Sequence, residues 1–235
     1  MAGFAALAGL AACENETELL PNQSAEYYPL EVGSYRVYDV VDTAYRSNVA
    51  TVTRFQFKEQ VESALEPDAT GQPAYRVVRS RRASAAEAWS IDSVITVTAS
   101  TRSVQEQRNN RRTVELIFPL REGKAWNANA FNTLDTIEAV NRSYEWVDKP
   151  FSISSNGKSY SYSTTTATLN DLTNADTGIN LFYYTVLRSV YAKGVGPVYR
   201  ARRRFIYCPA GNCTPNPSYI YLGQSRSEVL VESGK

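Results

Sequence analysis

The feature that most restricts the fold of this chain is an alternation of apolar and polar residues with a period of two, which recurs from residue 27 to residue 231. It is clear where Phe55 and Phe57 alternate with Gln56 and Lys58. Successive side chains of a β-strand point to opposite faces, so this pattern indicates strands with one buried face. Sixteen tyrosines, accompanied by runs of Thr, Val and Ser, also favour strands, whereas helix-favouring blocks are scarce after the N-terminus.

The alternation predicts about ten strands joined by short turns. In one of them, Trp89, Ile91, Ile95 and Val97 are expected to share the buried face. Asn156-Gly157 predicts a hairpin with a type I′ turn, and a further turn is expected at Lys193-Gly194. The candidate strands cover residues 35–41, 54–61, 75–80, 89–98, 113–118, 137–147, 160–169, 182–191, 198–207 and 219–231.

Length and composition favour one all-β domain over residues 27–235. The chain has 235 residues, 43% of them hydrophobic, which is enough to bury a core. Antiparallel strands of this length with one apolar face fit either a single, strongly curved sheet (an open half-barrel) or a β-sandwich. The sequence does not separate these two architectures.

Charge and residue usage make several functions improbable. Twenty-five basic residues against 24 acidic ones give a net charge of +1, which provides no long-range field to attract nucleic acid. The chain contains no histidine, the side chain used most often for acid–base catalysis and metal binding near neutral pH. We therefore expect no enzyme activity, no cofactor, no bound metal and no nucleic-acid partner.

The first thirteen residues resemble the signal peptide and lipobox of a bacterial lipoprotein. Residues 1–12 are almost wholly apolar or small and end in Leu10-Ala11-Ala12-Cys13. The resemblance implies cleavage before Cys13 and lipidation of its thiol; the signal would be truncated, because no basic residue follows Met1. A buried N-terminal helix with an incidental cysteine is the alternative.

Residues 13–26 are predicted to form a flexible tether after the lipidated cysteine. Glu14, Glu16 and Glu18 make its first part acidic. An acidic cluster at this point resembles the export signal of surface lipoproteins in Bacteroidota. It implies a lipid anchor in the outer membrane, with the domain on the periplasmic or the surface-exposed face.

Cys208 and Cys213 flank a short, turn-forming segment and are predicted to form a local disulfide. Such a bond would stabilise a hairpin end in an oxidising compartment. A metal clip is the alternative, but the segment lacks further soft ligands.

An aromatic-Pro-Leu-x-x-Gly segment occurs twice, from Tyr28 to Gly33 and from Phe118 to Gly123. It is interpreted as a structural corner, since proline cannot donate to a β-ladder and glycine permits a tight bend. The alternative is a duplicated half of the domain.

The first of these corners, together with Trp126-Asn127-x-Asn129 and the Tyr-Ala-Lys-Gly-Val-Gly segment that begins at Tyr191, resembles uncharacterised outer-membrane lipoproteins of Bacteroidota. The resemblance extends over most of residues 27–207. It implies a family and no particular activity.

Arginines cluster at residues 76–82, 108–112 and 200–204. On a strand, Arg200, Arg202 and Arg204 would line one face, with Arg203 on the other. This face is either a solvated outer surface or a site for an anionic glycan or lipid headgroup.

These features predict a membrane-anchored lipoprotein whose β-domain binds a glycan, a lipid or an envelope protein, or packs in an envelope assembly, without catalysis. A carrier of lipid or another apolar ligand is the first alternative, and an unfilled apolar cavity would favour it. A glycosidase that uses two carboxylates about 5 to 9 Å apart in a cleft is the second.

Overall fold

The computed structural model describes residues 23–67, 71–132, 136–174, 178–208 and 213–235. Cys13 and the acidic cluster after it lie outside these ranges, and the one short helix begins within the segment predicted as a tether. The elements are α1 Gln23–Tyr27, β1 Tyr35–Arg46, β2 Val49–Leu65, β3 Ala74–Arg82, β4 Ser90–Ala99, β5 Ser103–Arg108, β6 Arg111–Ile117, β7 Ala125–Asn127, β8 Asn141–Ser155, β9 Lys158–Asn170, β10 Tyr183–Ala192, β11 Gly196–Ile206 and β12 Leu222–Gly234.

All twelve strands belong to one antiparallel sheet, in the order β6-β5-β4-β3-β2-β1-β12-β11-β10-β9-β8-β7. Two six-stranded meanders, β1 to β6 and β7 to β12, are joined where β1 pairs with β12. The sheet curves into a nearly closed barrel with one unsealed seam, between β6 and β7. The prediction of a single, strongly curved antiparallel sheet is confirmed; the sandwich alternative is not formed, and the strands number twelve rather than about ten.

Tight turns with positive φ angles connect several hairpins. Asn156 and Gly157 have φ angles of 48° and 76°, which confirms the predicted hairpin. Both residues of the Ser47-Asn48 turn and both residues of the Asn109-Asn110 turn also have positive φ angles, and here short polar side chains take the place of glycine. Each turn reverses the chain within two residues, so neighbouring strands stay paired along the meander.

Successive strands of a meander run in opposite directions, so their connections lie alternately at the two ends of the barrel. These two ends differ in structure. We call one the helix end: it carries α1 and the β10–β11 turn, where Gly194 N–H donates to the carbonyl of Glu26 at 2.7 Å. We call the other the open end: it carries the turns at Ser47-Asn48 and Asn109-Asn110. Odd-numbered strands run from the helix end to the open end.

The helix end is filled by an apolar core. Tyr27 and Tyr28 are 2% and 3% exposed, and the rings of Tyr28 and Tyr191 are 6.2 Å apart. Aliphatic side chains from the adjoining parts of β2 to β6 pack against them, among them Val97 and Leu116. The core therefore closes the barrel at this end. No described helix is long and apolar enough to span a bilayer.

The two corner segments occupy equivalent places in the two meanders. Gly33, with φ 92°, precedes β1, and Gly123, with φ 74°, precedes β7. Both therefore act as corners before the first strand of a six-stranded unit. Their placement is also what a duplicated half would produce.

Cys208 and Cys213 form a disulfide near the open end, with Cα atoms 5.8 Å apart. The bond joins the end of β11 to the segment that leads into β12. The residues between the cysteines lie outside the described ranges.

Candidate functional site: an arginine-lined cavity

Next to the apolar core, the barrel interior holds a buried network of four charged side chains, Glu59, Arg79, Arg200 and Glu228. Arg200 Nη1 lies 3.1 Å from Glu59 Oε1 and 3.2 Å from Glu228 Oε2. Arg79 forms an ion pair with Glu59 and lies 3.6 Å from Glu228. All four side chains are at most 4% exposed. We call this set the ion network.

Strand register brings these charges together. Arg79 on β3 is paired with Glu59 on β2, and Arg200 on β11 is paired with Glu228 on β12. The curvature of the sheet then places Arg200 within 3.8 Å of Glu106 on β5, on the opposite side of the interior. Such a contact requires the sheet to curl back on itself.

The ion network stays charged near neutral pH. Burial raises the pKa of Glu59, but Arg200 and Arg79 outweigh burial and hold it well below its usual range. Burial likewise opposes the charge of Arg200, yet Glu59 and the other nearby acidic groups raise the pKa of its guanidinium well above its usual value. Because removal of one member would leave an uncompensated buried charge, the network depends on all four.

Beyond the ion network, towards the open end, the interior contains a cavity of about 680 Å³. We call it the arginine cavity. Its lining, as far as the described residues form it, includes the β5–β6 turn at Asn109-Asn110, two carboxylates, Glu106 and Glu115, and only two apolar residues, Leu187 and Ile137. The other charged lining residues are six arginines, Arg108, Arg111, Arg142, Arg202, Arg204 and Arg226.

Three of the six arginines have a carboxylate partner. Arg142 Nη1 lies 2.9 Å from Glu115 Oε2, and Arg108 Nη2 lies 4.0 Å from Glu106 Oε2. Arg226, the third, binds an aspartate on β1. These pairs neutralise part of the positive charge of the lining.

Arg111, Arg202 and Arg204 form no ion pair with any described residue. Burial, together with repulsion from Arg202, Arg111 and Arg142, lowers the pKa of Arg204. Burial and the nearby Arg79 and Arg202 also lower the pKa of Arg108. The cavity therefore concentrates positive charge that the described part of the chain does not balance.

A smaller cavity of about 290 Å³ adjoins the first beside the seam and shares Arg111, Arg142 and Arg204 with it. The seam between β6 and β7 lacks a regular ladder. Single hydrogen bonds cross it instead: Val114 N–H donates to Ala128 O at 2.8 Å, and the Trp126 indole N–H donates to Val114 O at 2.9 Å.

Guanidinium groups in this arrangement suit an anion. Each presents a planar fork of N–H donors that matches a carboxylate or phosphate, and partial burial strengthens such bonds. Acid catalysis by Glu115 is disfavoured, because Arg142 and neighbouring donors outweigh burial and lower its pKa to about 2. No group of three or more Asp, Glu or Cys side chains within the described ranges is placed to hold a metal ion.

The structure divides the arginines that the sequence placed on one face of β11. Arg202 and Arg204 line the cavity, whereas Arg200, 3% exposed, belongs to the ion network. Arg203 lies exposed on the opposite face of β11. The clusters at 108–112 and 200–204 are recognisable in the sequence, but their proximity in the fold is not. Arg142 and Arg226 give no such signal, because each is the only arginine in its strand.

Comparisons with known proteins found no matching family model and no matching curated protein. One solved structure is similar in fold: that of a Bacteroides fragilis protein described as a "putative exported protein with YmcC-like fold". The two chains are 12% identical, and the match covers 89% of this chain and 99% of the other, with a TM-score of 0.45. A match at this level indicates neither a family nor a function.

Proposed function

We propose that the β-domain is a non-enzymatic binding protein that takes an anionic group of its ligand into the arginine cavity. The observation that carries the proposal is the presence of three arginines that form no ion pair with a carboxylate of the described ranges, Arg111, Arg202 and Arg204, in a lining that is open to solvent. Mutual repulsion of these side chains is relieved when an anion binds between them. The ligand thereby balances positive charge that the described residues leave unbalanced.

The lining favours this function over the two alternatives. A carrier of apolar ligands needs an apolar cavity, but among the described residues only Leu187 and Ile137 contribute apolar side chains here. A glycosidase needs a carboxylic acid that is protonated near neutral pH, and the pKa of Glu115, one of the two cavity carboxylates, is lowered to about 2. Binding without chemistry is the simpler function for this site.

We further propose that the protein is a lipoprotein of the outer membrane, anchored through Cys13. The proposal rests on the lipobox-like sequence before Cys13 and on the Cys208–Cys213 disulfide, which suits an oxidising compartment outside the cytosol. The intact mass of the protein from the membrane fraction of its host tests it. Residues 13–235 plus acyl groups are expected; a mass that retains residues 1–12 without lipid would exclude the anchor.

Anion binding is tested by isothermal titration of the full chain with inorganic pyrophosphate and with citrate. The wild-type protein is expected to bind at least one of them, with an affinity that falls as salt concentration rises. The double substitution Arg202→Gln, Arg204→Gln should weaken binding by roughly tenfold or more, since each charge-assisted hydrogen bond is worth about 1.5 to 3 kcal/mol.

Arg203→Gln is the matched control, because Arg203 lies between the two tested residues on the same strand but on the opposite, exposed face. Its affinity should equal that of the wild type. The proposal fails if the wild type binds neither probe, or if the double variant binds as tightly as the control.

A further inference from the structure

Exposed apolar side chains are concentrated at the open end of the barrel. Of the fourteen large apolar side chains that are exposed in the described ranges, eleven lie there. Val94 lies midway along β4, and only Val32 and Leu65 lie at the helix end. We call the eleven the apolar rim: Val49, Val52, Ile91, Phe131, Ile179, Leu181, Phe182, Tyr183, Tyr219, Tyr221 and Leu222.

The apolar rim comes from several separate elements around the opening. Val49 is the first residue of β2, Ile91 is the second residue of β4, and Leu222 is the first residue of β12. Ile91 is 74% exposed and Val49 is 67% exposed, so these side chains project into solvent. Leu181 and Phe182, 63% and 45% exposed, stand just before β10. A distribution over so many elements forms a ring rather than one flat patch.

The rim is continuous with the arginine cavity. Leu222 is two residues before Gln224, which lines the cavity, and Gln224 is paired with Arg204 across β11 and β12. The apolar rim therefore begins two residues beyond the cavity lining on β12.

We propose that the open end docks onto a lipid surface that contains anionic phospholipid. The rim enters the headgroup region, where tyrosine and aliphatic side chains are stabilised, and the arginines of the cavity bind lipid phosphates. For its arginine contacts this inference rests on the proposed function.

A lipid surface fits the observations better than a glycan or a protein does. Sugars stack on aromatic faces, but they do not account for the exposed aliphatic residues Val49, Ile91, Leu181 and Leu222. A protein partner would match a contiguous patch with an apolar centre and a polar border. At the open end the arrangement is the opposite, because charged side chains lie at the centre and apolar side chains surround them.

The predicted lipid anchor cannot account for the rim. Residue 23 begins α1 at the helix end, whereas the rim lies at the opposite end of the strands. The rim therefore offers a second contact with lipid, separate from acyl chains on Cys13. This separation allows the contact to be tested in a chain that lacks the acyl anchor.

The experiment is vesicle flotation of residues 13–235 with Cys13→Ser, the processed chain without its acylated thiol, so that neither an acyl chain nor the apolar residues 1–12 contribute to binding. One set of vesicles contains phosphatidylcholine alone, and the other contains phosphatidylcholine with phosphatidylglycerol. The protein is expected to float with the phosphatidylglycerol vesicles and to remain behind with phosphatidylcholine alone. In the same background, Leu181→Ser, Phe182→Ser should reduce the bound fraction at least about tenfold.

The matched control is Val32→Ser, Leu65→Ser, which removes two exposed apolar side chains of similar exposure (46% and 40%) at the helix end. It should float like the parent protein. Circular dichroism of each variant establishes that it is folded. Loss of flotation in both pairs, or in neither, would overturn the assignment of the rim, as would burial of the rim in a stable dimer seen by sedimentation.

The two proposals fail differently. If the protein binds pyrophosphate or citrate in solution but does not float with phosphatidylglycerol vesicles, the docking inference is wrong and the anion site stands. If the protein floats but the substitution of Arg202 and Arg204 changes neither flotation nor anion binding, the arginine cavity has no role and the proposed function is wrong.

Discussion

Replacement of Arg200 by methionine tests whether the ion network stabilises the barrel. The change keeps a long side chain of similar volume but removes the cation that joins Glu59 to Glu228. Among the described residues, Arg79 then remains as the only arginine that forms an ion pair with the two carboxylates in the network. Loss of one partner from a buried ion pair costs about 3 to 5 kcal/mol, because the remaining charge is left uncompensated.

The expected shift is large enough to measure directly. For a domain of this size, 1 kcal/mol corresponds to roughly 2 to 4 °C in Tm, so Arg200→Met should lower Tm by about 6 to 20 °C. Thermal unfolding followed by circular dichroism gives the value. Arg203→Met is the control, since Arg203 is exposed and its replacement should change stability by no more than about 0.5 kcal/mol.

A second measurement separates a lost charge pair from poor packing. A carboxylate left without a partner takes up a proton more readily, so the difference in Tm between Arg200→Met and the wild type should shrink as the pH is lowered from 7 towards 5. A packing defect would give the same difference at both pH values. A Tm within about 2 °C of the Arg203→Met control would refute the reasoning altogether.

Two further predictions concern acid stability and a glycine. Arginine neighbours outweigh burial and lower the pKa of Glu115 and Glu228 to about 2, from an ordinary value of 4.5. Their contribution to stability is therefore complete above about pH 4.5 and is lost as the pH falls towards 2; urea midpoints that stay constant over this window would contradict it. Gly196→Ala should destabilise the protein by about 1 to 3 kcal/mol, because Gly196 has a φ of 97° and an added Cβ would lie 2.9 Å from the Arg36 guanidinium. Gly71→Ala, at φ 74° with no atom within 4 Å, should cost less in the same urea titration, and equal costs would count against the steric reason.

Local patterns made the sheet predictable from the sequence. A period of two identifies a strand from its own residues, and Asn156-Gly157 identifies a turn from two positions. Two strands were not predicted from the sequence: β5, Ser103–Arg108, is largely polar, and β7 has only three residues, Ala125–Asn127. Neither presents enough apolar residues to show an alternation.

Strand register was harder to predict because it depends on the partner strand. Ile91 was expected on the same buried face as Ile95, yet Ile91 is 74% exposed and Ile95 is 1% exposed. A register shift accounts for the difference: Arg79 pairs with Ser93, and the next residue, Ser80, pairs with Ile91. One extra residue in β4 exchanges the two faces of the strand beyond it.

The candidate site could be predicted only in part, because it depends on closure of the sheet. Alternation along β11 placed Arg202 and Arg204 on one face, and the structure agrees. Their convergence with Arg111 and Arg142 requires β6 and β8 to face β11 across the interior, which no short stretch of sequence records. The separate role of Arg200 likewise depends on Glu59, 141 residues away.

Pairing of β1 with β12 also determines when the protein can fold. Tyr35 is paired with Gly234, and every residue of β1 has a partner in β12. The first strand can therefore form these hydrogen bonds only after the last strand is present. Contacts so distant in sequence form slowly, because a long loop must close before they contribute. We therefore expect the barrel to close only after β12 has been synthesised or has passed through any narrow channel that the chain crosses.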